Sequence, residues 1–492
     1  MSLIQISNLT FVYPGSSDNI FQNVSFQIDT DWKLGFIGRN GRGNTTFLNL
    51  LMGCFDYQGS ISSSVKFFYF PFIVPERTKL TADIISNIAT DSQNWELVRE
   101  LSYLEVPEEV LFRPFETLSS GEQTKVLLAA LFLWKDGFLL IDEPTNHLDL
   151  AARQLVSRYL NRKKSFILVS HDRCFLDSCV DHVLSINKTN IEIQKGSFSS
   201  WWENKLRQDC FELAKNEKLK KEVSRLSEAA KRTSSWSDHL EETKYHTKNA
   251  GLRPDRGYIG HKAAKMMSRS KSIENRKRTA AAEKADLLKN IERVETLKLS
   301  SLSYHKDRLL SLRDLSIHYG DHVACNNVSF TVNQGERIAL CGKNGSGKSS
   351  LLKLICGEDL TYSGEFQHGE NLVISFVPQD TSFLMGNLSD FAATHHLDES
   401  LFKTILRKLD FSREQFEKNM EEFSSGQKKK VLLARSLCQR AHLYVWDEPL
   451  NYVDIFSRMQ IEKLLLSYPF TFLFVEHDSS FLETVATKII QL

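Results

Sequence analysis

The sequence contains no Cys-x-x-Cys pair. Its eight cysteines, at 54, 174, 179, 210, 325, 341, 356 and 438, are scattered along the chain. That pattern argues against a disulfide framework or a zinc site, and it reads as reduced packing residues in a cytoplasmic protein. Long hydrophobic runs are missing as well. The longest clean one, Val126 to Trp134, has nine residues, and a bilayer span needs roughly twice that number. The opening stretch MSLIQISNLT has neither the basic nor the apolar region of a signal peptide, so none is expected. Net charge is also nearly absent, at +1 over 492 residues, with 41% hydrophobic and 25% charged residues. This balance excludes a collagen-like or fully disordered chain. The length suggests about three domains.

The neutral total hides an asymmetry. Residues 201–300 hold 24 Lys and Arg against 15 Asp and Glu, a net of +9, so the rest of the chain carries −8. A basic block between acidic lobes bears on partners.

An internal repeat organises the lobes. Asn23-Val24-Ser25-Phe26 returns as Asn327-Val328-Ser329-Phe330, and Ser119-Ser120-Gly121 returns as Ser424-Ser425-Gly426. Asp142-Glu143-Pro144 returns as Asp447-Glu448-Pro449, and His171-Asp172 as His477-Asp478, all at an offset of 304 to 306. Within each copy the spacing is preserved. Gly38 to Gly121 is 83 residues and Gly342 to Gly426 is 84, and 21 residues separate either of those later glycines from its Asp-Glu-Pro aspartate.

Between the copies the β signal fades. Leu206, Cys210, Leu213, Leu219, Val223 and Leu226 recur at helical spacing, and so do Ile273, Ala280, Leu287, Ile291 and Val294. The stretch Ala250 to Gly260 holds three glycines and a proline, which stop a helix. Two long antiparallel helices joined by a loop are expected. The division is 1–198, 199–301 and 302–492, with the hairpin tip near 244–260.

The second copy carries the fuller chemistry. Arg337 to Cys341 reads as a buried strand, followed by Gly342-Lys343-Asn344-Gly345-Ser346-Gly347-Lys348-Ser349 and an apolar helix from near Ser350. Strand, glycine-rich loop and helix form a phosphate cradle, in which backbone N–H groups and the helix N-terminus face the phosphates. Lys348 is placed to reach the outer phosphates and Ser349 to ligate Mg²⁺. Asp447 ends an apolar strand, where it can hold Mg²⁺ through water, and Glu448 can polarise the attacking water. His477 can sense the γ-phosphate, Gln379 can bridge metal and water, and Tyr319 can stack on adenine.

The order of glycine loop, Ser-Ser-Gly, Asp-Glu-Pro and His-Asp resembles ABC-type ATPase domains. The implied fold is α/β, with two tandem ABC-type P-loop ATPase domains joined by a long α-helical hairpin. The resemblance implies ATP contacts at Tyr13, Gly38, Asn40, Gly41, Gly43, Asn44, Thr45 and Thr46 in the first copy. In the second they fall at Tyr319, Gly342, Asn344, Gly345, Gly347, Lys348, Ser349, Ser350 and Gln379. It implies signature residues Ser119, Ser120, Gly121 and Glu122 with Ser424, Ser425, Gly426 and Gln427, and catalytic Glu143, His171, Glu448 and His477. Metal positions are Thr45, Asp142, Ser349, Gln379 and Asp447. Each ATP would lie between one copy's phosphate loop and the other's signature, in a monomer whose two domains sandwich together.

Two such domains, a helical linker and no membrane segment resemble the ABC-F subfamily. Trp32 to Gly43, Asp142 to Asp149, Trp446 to Tyr452 and His261 to Met267 resemble its Lsa-type resistance proteins. That resemblance implies a bacterial 70S ribosome partner, with domains at the exit site and a linker reaching along bound tRNA toward 23S rRNA of the peptidyl-transferase centre. It implies protection from lincosamides, pleuromutilins and group A streptogramins. Lys244, Tyr245, His246, Lys248, Arg253, Arg256 and Tyr258 would be the RNA-facing tip, because cations suit phosphates and rings stack on bases. The alternatives are a charged spacer at the linker, a housekeeping ABC-F translation factor, and the ATPase subunit of a transporter.

The first copy departs from the pattern. Asn44 stands where lysine is expected, and Tyr69-Phe70-Pro71-Phe72 stands where the second copy has Phe376-Val377-Pro378-Gln379. A charge-assisted hydrogen bond is worth roughly 1.5–3 kcal/mol, so nucleotide binding there is expected to be weaker and the ATPase asymmetric. The competing explanation is a damaged or engineered position.

Overall fold

The computed structural model describes residues 2–14, 19–39, 43–89, 93–135, 137–146, 148–186, 191–243, 256–287 and 301–492. These residues fall into two compact units. Residues 2–186, 191–199 and 301–492 make one, and residues 200–243 and 256–287 the other.

In the larger unit each repeat copy pairs a small antiparallel sheet with a parallel one. The first copy's antiparallel sheet runs Asn19–Asp29, Leu3–Val12, Gln58–Ser62. Its main sheet runs Lys66–Phe70, Gly137–Asp142, Phe166–Val169, Lys33–Ile37, His182–Ile186, Ile191–Lys195, with only the last pair antiparallel. The second copy's parallel sheet repeats this order as Ile374–Val377, Leu443–Asp447, Phe472–Val475, Arg337–Cys341, Lys488–Gln491. Parallel strands are buried on both faces and so read as unbroken apolar runs. Phe166–Val169, Leu443–Asp447 and Phe472–Val475 are buried at every position. In an open parallel sheet, ligands bind beyond the carboxyl ends of the strands, which is where Asp142 and Asp447 stand.

The copies meet inside this unit through buried charge. Arg153 Nη1 is 3.1 Å from Asp172 in its own copy and donates to the His477 carbonyl of the other at 3.2 Å. Arg173 pairs with Glu462 across the copies, and Arg39 reaches Asp410 at 3.6 Å while lying over the Phe456 ring.

The other unit is helical. One helix covers Phe198–Thr243 and its 46 residues span about 70 Å. A second covers Arg256–Leu287. Leu206, Cys210 and Leu213 of the expected apolar stripe are exposed, while Leu219 is buried. Ile291 and Val294 lie outside the described residues. All eight cysteines are unpaired; Cys179 and Cys325 are buried, but Cys54, Cys174 and Cys210 are exposed, so those three are not packing residues.

Candidate active site

The two phosphate loops end on the same backbone device. Gly43 and Gly347 cap the helices Asn44–Leu51 and Lys348–Ile355 with φ of 99° and 79°. A Cβ on Gly347 would meet the Ala324 carbonyl oxygen at 2.5 Å, so only glycine closes this turn. Asn40 and Gly41 lie outside the described residues.

In the second copy, Lys348 is buried and folds over its own loop, donating from Nζ to the carbonyls of Gly342 at 2.9 Å and Lys343 at 2.8 Å. Burial lowers its pKa. Ser349 hydrogen-bonds Asp447, whose carboxyl burial pushes up. Gln379 Nε2 donates to Glu448 Oε2 at 2.9 Å, and Asn451 donates to the same oxygen. His477 Nε2 lies 3.6 Å from Glu448 Oε1. Burial alone would raise Glu448, but His477, Lys429 and Asn451 outweigh it and hold the carboxyl below its ordinary range. Tyr319, half exposed, donates to Ser350 at 3.2 Å.

These groups line a cavity of about 460 Å³ whose wall includes Asn344, Gly345, Gly347, Lys348, Gln379, Glu448 and His477. Three first-copy residues complete it, namely Ser120, Leu148 and Arg153. Gly121 does not line it. A cavity of this size suits a nucleotide.

The first copy gathers the matching positions with different contacts. Asn44 Nδ2 donates to the Gly38 carbonyl at 3.3 Å, and its Oδ1 is buried without a partner among the described residues. Thr45 donates to Asp142 Oδ2 at 2.8 Å, and Tyr13 shares a 2.7 Å hydrogen bond with Thr46. Glu143 Oε1 sits 3.5 Å from His171 Nε2. Burial, with the Asp142 charge beside it, pushes Glu143 up to about 8. Burial and the Arg458 charge push His171 down to about 3. The equivalent glutamates are thus shifted in opposite directions, Glu143 up and Glu448 down.

The signature segments start helices by reciprocal capping. Ser119 Oγ accepts from the Glu122 N–H at 3.2 Å while Glu122 accepts from the Ser119 N–H at 2.8 Å. Ser424 and Gln427 repeat this at 3.3 and 2.9 Å. Glu122 and Gln427 are therefore engaged in their own helix starts. Ser425 is exposed and Gly426 buried.

Several groups were not singled out from sequence. Lys429, fully buried, donates to the carbonyls of Pro378 and Asp447, and burial brings it down to about 8. Lys430 pairs with buried Asp454 at 2.7 Å. Arg458 pairs with Asp478 at 2.8 Å. The signal lay in lysines set into the apolar stretch of the second signature helix. Of the proposed linker tip, Lys244, Tyr245, His246, Lys248 and Arg253 lie outside the described residues, and Arg256 and Tyr258 begin the second helix.

The family model described as ABC transporter matches residues 21–146 and 325–451, which together are just over half of the chain. The chain belongs to the ABC transporter family. Both matches fall on the ATPase repeats, and among the described residues no helix is long and apolar enough to cross a membrane. Ribosome protection protein VmlR of Bacillus subtilis (strain 168) is 28% identical over 99% of this chain and 86% of its own length. ATP-binding protein Uup of Caulobacter vibrioides is 26% identical over 96% of this chain and 74% of its own. Among solved structures, archaeal ribosome recycling factor aABCE1, in complex with the stalk protein aP1, aligns with a TM-score of 0.63. It is 18% identical and covers 98% of this chain and 87% of that one. This ABC ATPase therefore shares the tandem-domain fold of that factor, and the resemblance read from the motifs holds at the level of family and fold.

Proposed function

We propose that this protein is an ABC-F ATPase that binds the bacterial ribosome and protects it from antibiotics of the peptidyl-transferase centre. The supporting observation is the joint presence of two ATPase copies and a long helical unit inserted between them. On that unit Lys262, Lys265, Arg269, Lys271, Arg276 and Arg278 are exposed. A row of cations on a long helix suits RNA phosphates. The ribosome-protection role in the name of the Bacillus subtilis relative points the same way.

In this reading the division 1–198, 199–301 and 302–492 separates motor from lever. ATP closes the two copies, the lever takes a fixed angle, and its tip displaces or remodels rRNA around a bound lincosamide, pleuromutilin or group A streptogramin. The exit site and its tRNA are the docking place. Hydrolysis releases the factor, which acts in the cytoplasm without a transmembrane partner.

The second composite site carries turnover. Its residues suit Mg²⁺-ATP: Asp447 Oδ1 is buried without a partner among the described residues, Ser349 hydrogen-bonds Asp447, and Gln379 adjoins. A bound Mg²⁺ would neutralise phosphate charge. Lys348 binds the outer phosphates, Ser120 closes the far side, Glu448 orients and deprotonates the attacking water, and His477 holds the γ-phosphate oxygen. Tyr319 stacks on the base. The first site, with Asn44, Thr45, Thr46, Asp142, Glu143, His171 and the second signature at Ser425 and Gly426, binds weakly or turns over slowly.

A second reading, a housekeeping ABC-F translation factor, is favoured by Uup and its kin, which cover the chain equally well at similar identity. Co-sedimentation with 70S ribosomes and a non-hydrolysable ATP analogue tests both against a transporter role. Protection is then read from growth of a susceptible bacterium on a drug panel. Binding without any rise in resistance would select the housekeeping reading, and no ribosome binding would end both.

A further inference from the structure

The carboxylates Asp142 and Asp447 end matching strands, yet the neighbouring strand offers a hydroxyl to the first and none to the second. In the first copy, strand Lys66–Phe70 pairs in parallel with Gly137–Asp142, with Tyr69 opposite Leu140. In the second, Ile374–Val377 pairs with Leu443–Asp447, with Phe376 opposite Val445. Tyr69 and Phe376 therefore occupy equivalent places, each opposite the residue two before the aspartate. The Tyr69 hydroxyl donates to Asp142 Oδ2 at 3.0 Å, the same oxygen that Thr45 engages at 2.8 Å. Phe376 has no hydroxyl to offer, and Asp447 keeps one buried oxygen, Oδ1, without a partner among the described residues.

Two further replacements fall on the same side of the nucleotide. Register places Phe72 where Gln379 stands, so no amide is available there to share a metal or water. Asn44 replaces the lysine and folds back on the Gly38 carbonyl. The first site thus has an uncharged amide in place of a lysine and a phenyl ring in place of an amide, and has gained a hydroxyl aimed at the carboxylate. Such a donor set does not fit a divalent ion as the second site does.

We propose that the first site takes its adenine nucleotide free of divalent metal, and that Tyr69 is the residue that closes Asp142 to the ion. A metal or its water would have to compete with the phenol and Thr45 for Oδ2 of a buried carboxylate, or make do with Oδ1 alone, with no Gln379 equivalent to help. The inference rests on the reading of these two carboxylates as the metal-side groups of paired nucleotide sites.

The test uses the full chain, AMP-PNP as nucleotide and Mn²⁺ as the metal probe, read by electron paramagnetic resonance and calorimetry. Wild type is expected to bind two nucleotides but one nucleotide-dependent Mn²⁺. With EDTA, one nucleotide remains. In Lys348→Ala, which disables the second site, the remaining nucleotide binding should be indifferent to EDTA. Tyr69→Phe keeps the ring and should add a second Mn²⁺, with affinity at the first site rising on the order of tenfold. The converse, Phe376→Tyr, should weaken Mn²⁺ at the second site by a similar factor. Two Mn²⁺ in wild type, loss of all nucleotide in EDTA, or an unchanged metal count in Tyr69→Phe would each overturn the proposal while leaving the ATPase reading intact. Absence of any metal-dependent nucleotide would remove that reading and the proposal together.

Discussion

Two copies of one strand order shift their equivalent glutamates in opposite directions. Glu448 is drawn into ionisation by His477, Lys429 and the Asn451 amide, against the cost of burial. Around Glu143 the charges of Arg458 and Arg153 and the His171 backbone N–H act in the same direction but are outweighed, and burial with Asp142 pushes it up to about 8. In the first copy Thr124 fills the position of Lys429, so the buried amine that supports Glu448 has no counterpart. Repeating a motif therefore does not repeat its chemistry, because a carboxylate at the end of a strand takes its protonation from residues many positions away in sequence.

The largest test of that contrast is catalytic. Glu448→Gln should cut ATP turnover by roughly 10²–10⁴-fold, and Glu143→Gln should cut it only a few-fold. Equal losses in a steady-state phosphate-release assay would break the comparison. Next comes stability. Asp454 is fully buried against Lys430, and Asp454→Asn should cost about 3–5 kcal/mol in denaturant unfolding by leaving that amine unpaired. Its first-copy counterpart Asp149 is less buried, so Asp149→Asn should cost less. Although burial alone would raise Asp454, Lys430 holds it below the ordinary carboxylate value. The contribution is therefore present above the unfolded pKa near 3.8 and is lost as pH falls toward the folded one. An acid-unfolding titration of wild type beside Asp454→Asn should converge at low pH.

Smaller effects sharpen the comparison. Asn44→Lys should tighten nucleotide at the first site on the order of ten- to a hundredfold, measured by calorimetry with Lys348→Ala as background. Smallest is the base contact. Tyr319→Ala should weaken binding at the second site by about tenfold, matching the usual worth of an aromatic stack, and Tyr319→Phe should change little.

Much of this was legible in the sequence. The repeat offset, the strand before each glycine loop and the Asp-Glu-Pro stretches rest on contacts close along the chain or on period and apolar runs, and they placed Lys348, Ser349, Asp447 and Glu448 together. The missing lysine and glutamine of the first copy were equally plain. What did not show was Tyr69. It reads as one aromatic in Lys-Phe-Phe-Tyr-Phe, and only the parallel register against Gly137–Asp142 turns its hydroxyl into a partner of Asp142. Lys429 and Lys430 were hidden for a related reason. A lysine triplet after a glycine suggests a wet helix face, whereas packing buries two of the three and gives each amine backbone carbonyls to hold. Arg153 reveals its role only once the two copies are side by side.

That arginine carries a further implication for how the protein moves. Its guanidinium, nearly sealed from solvent, holds Asp172 at home and the main chain at His477 abroad with a single nitrogen. Pulling the copies apart would strand half of that grip until water arrived to replace it. Separation should therefore proceed as a latch letting go, with a threshold, and a nucleotide that alters the backbone at His477 would hold the key.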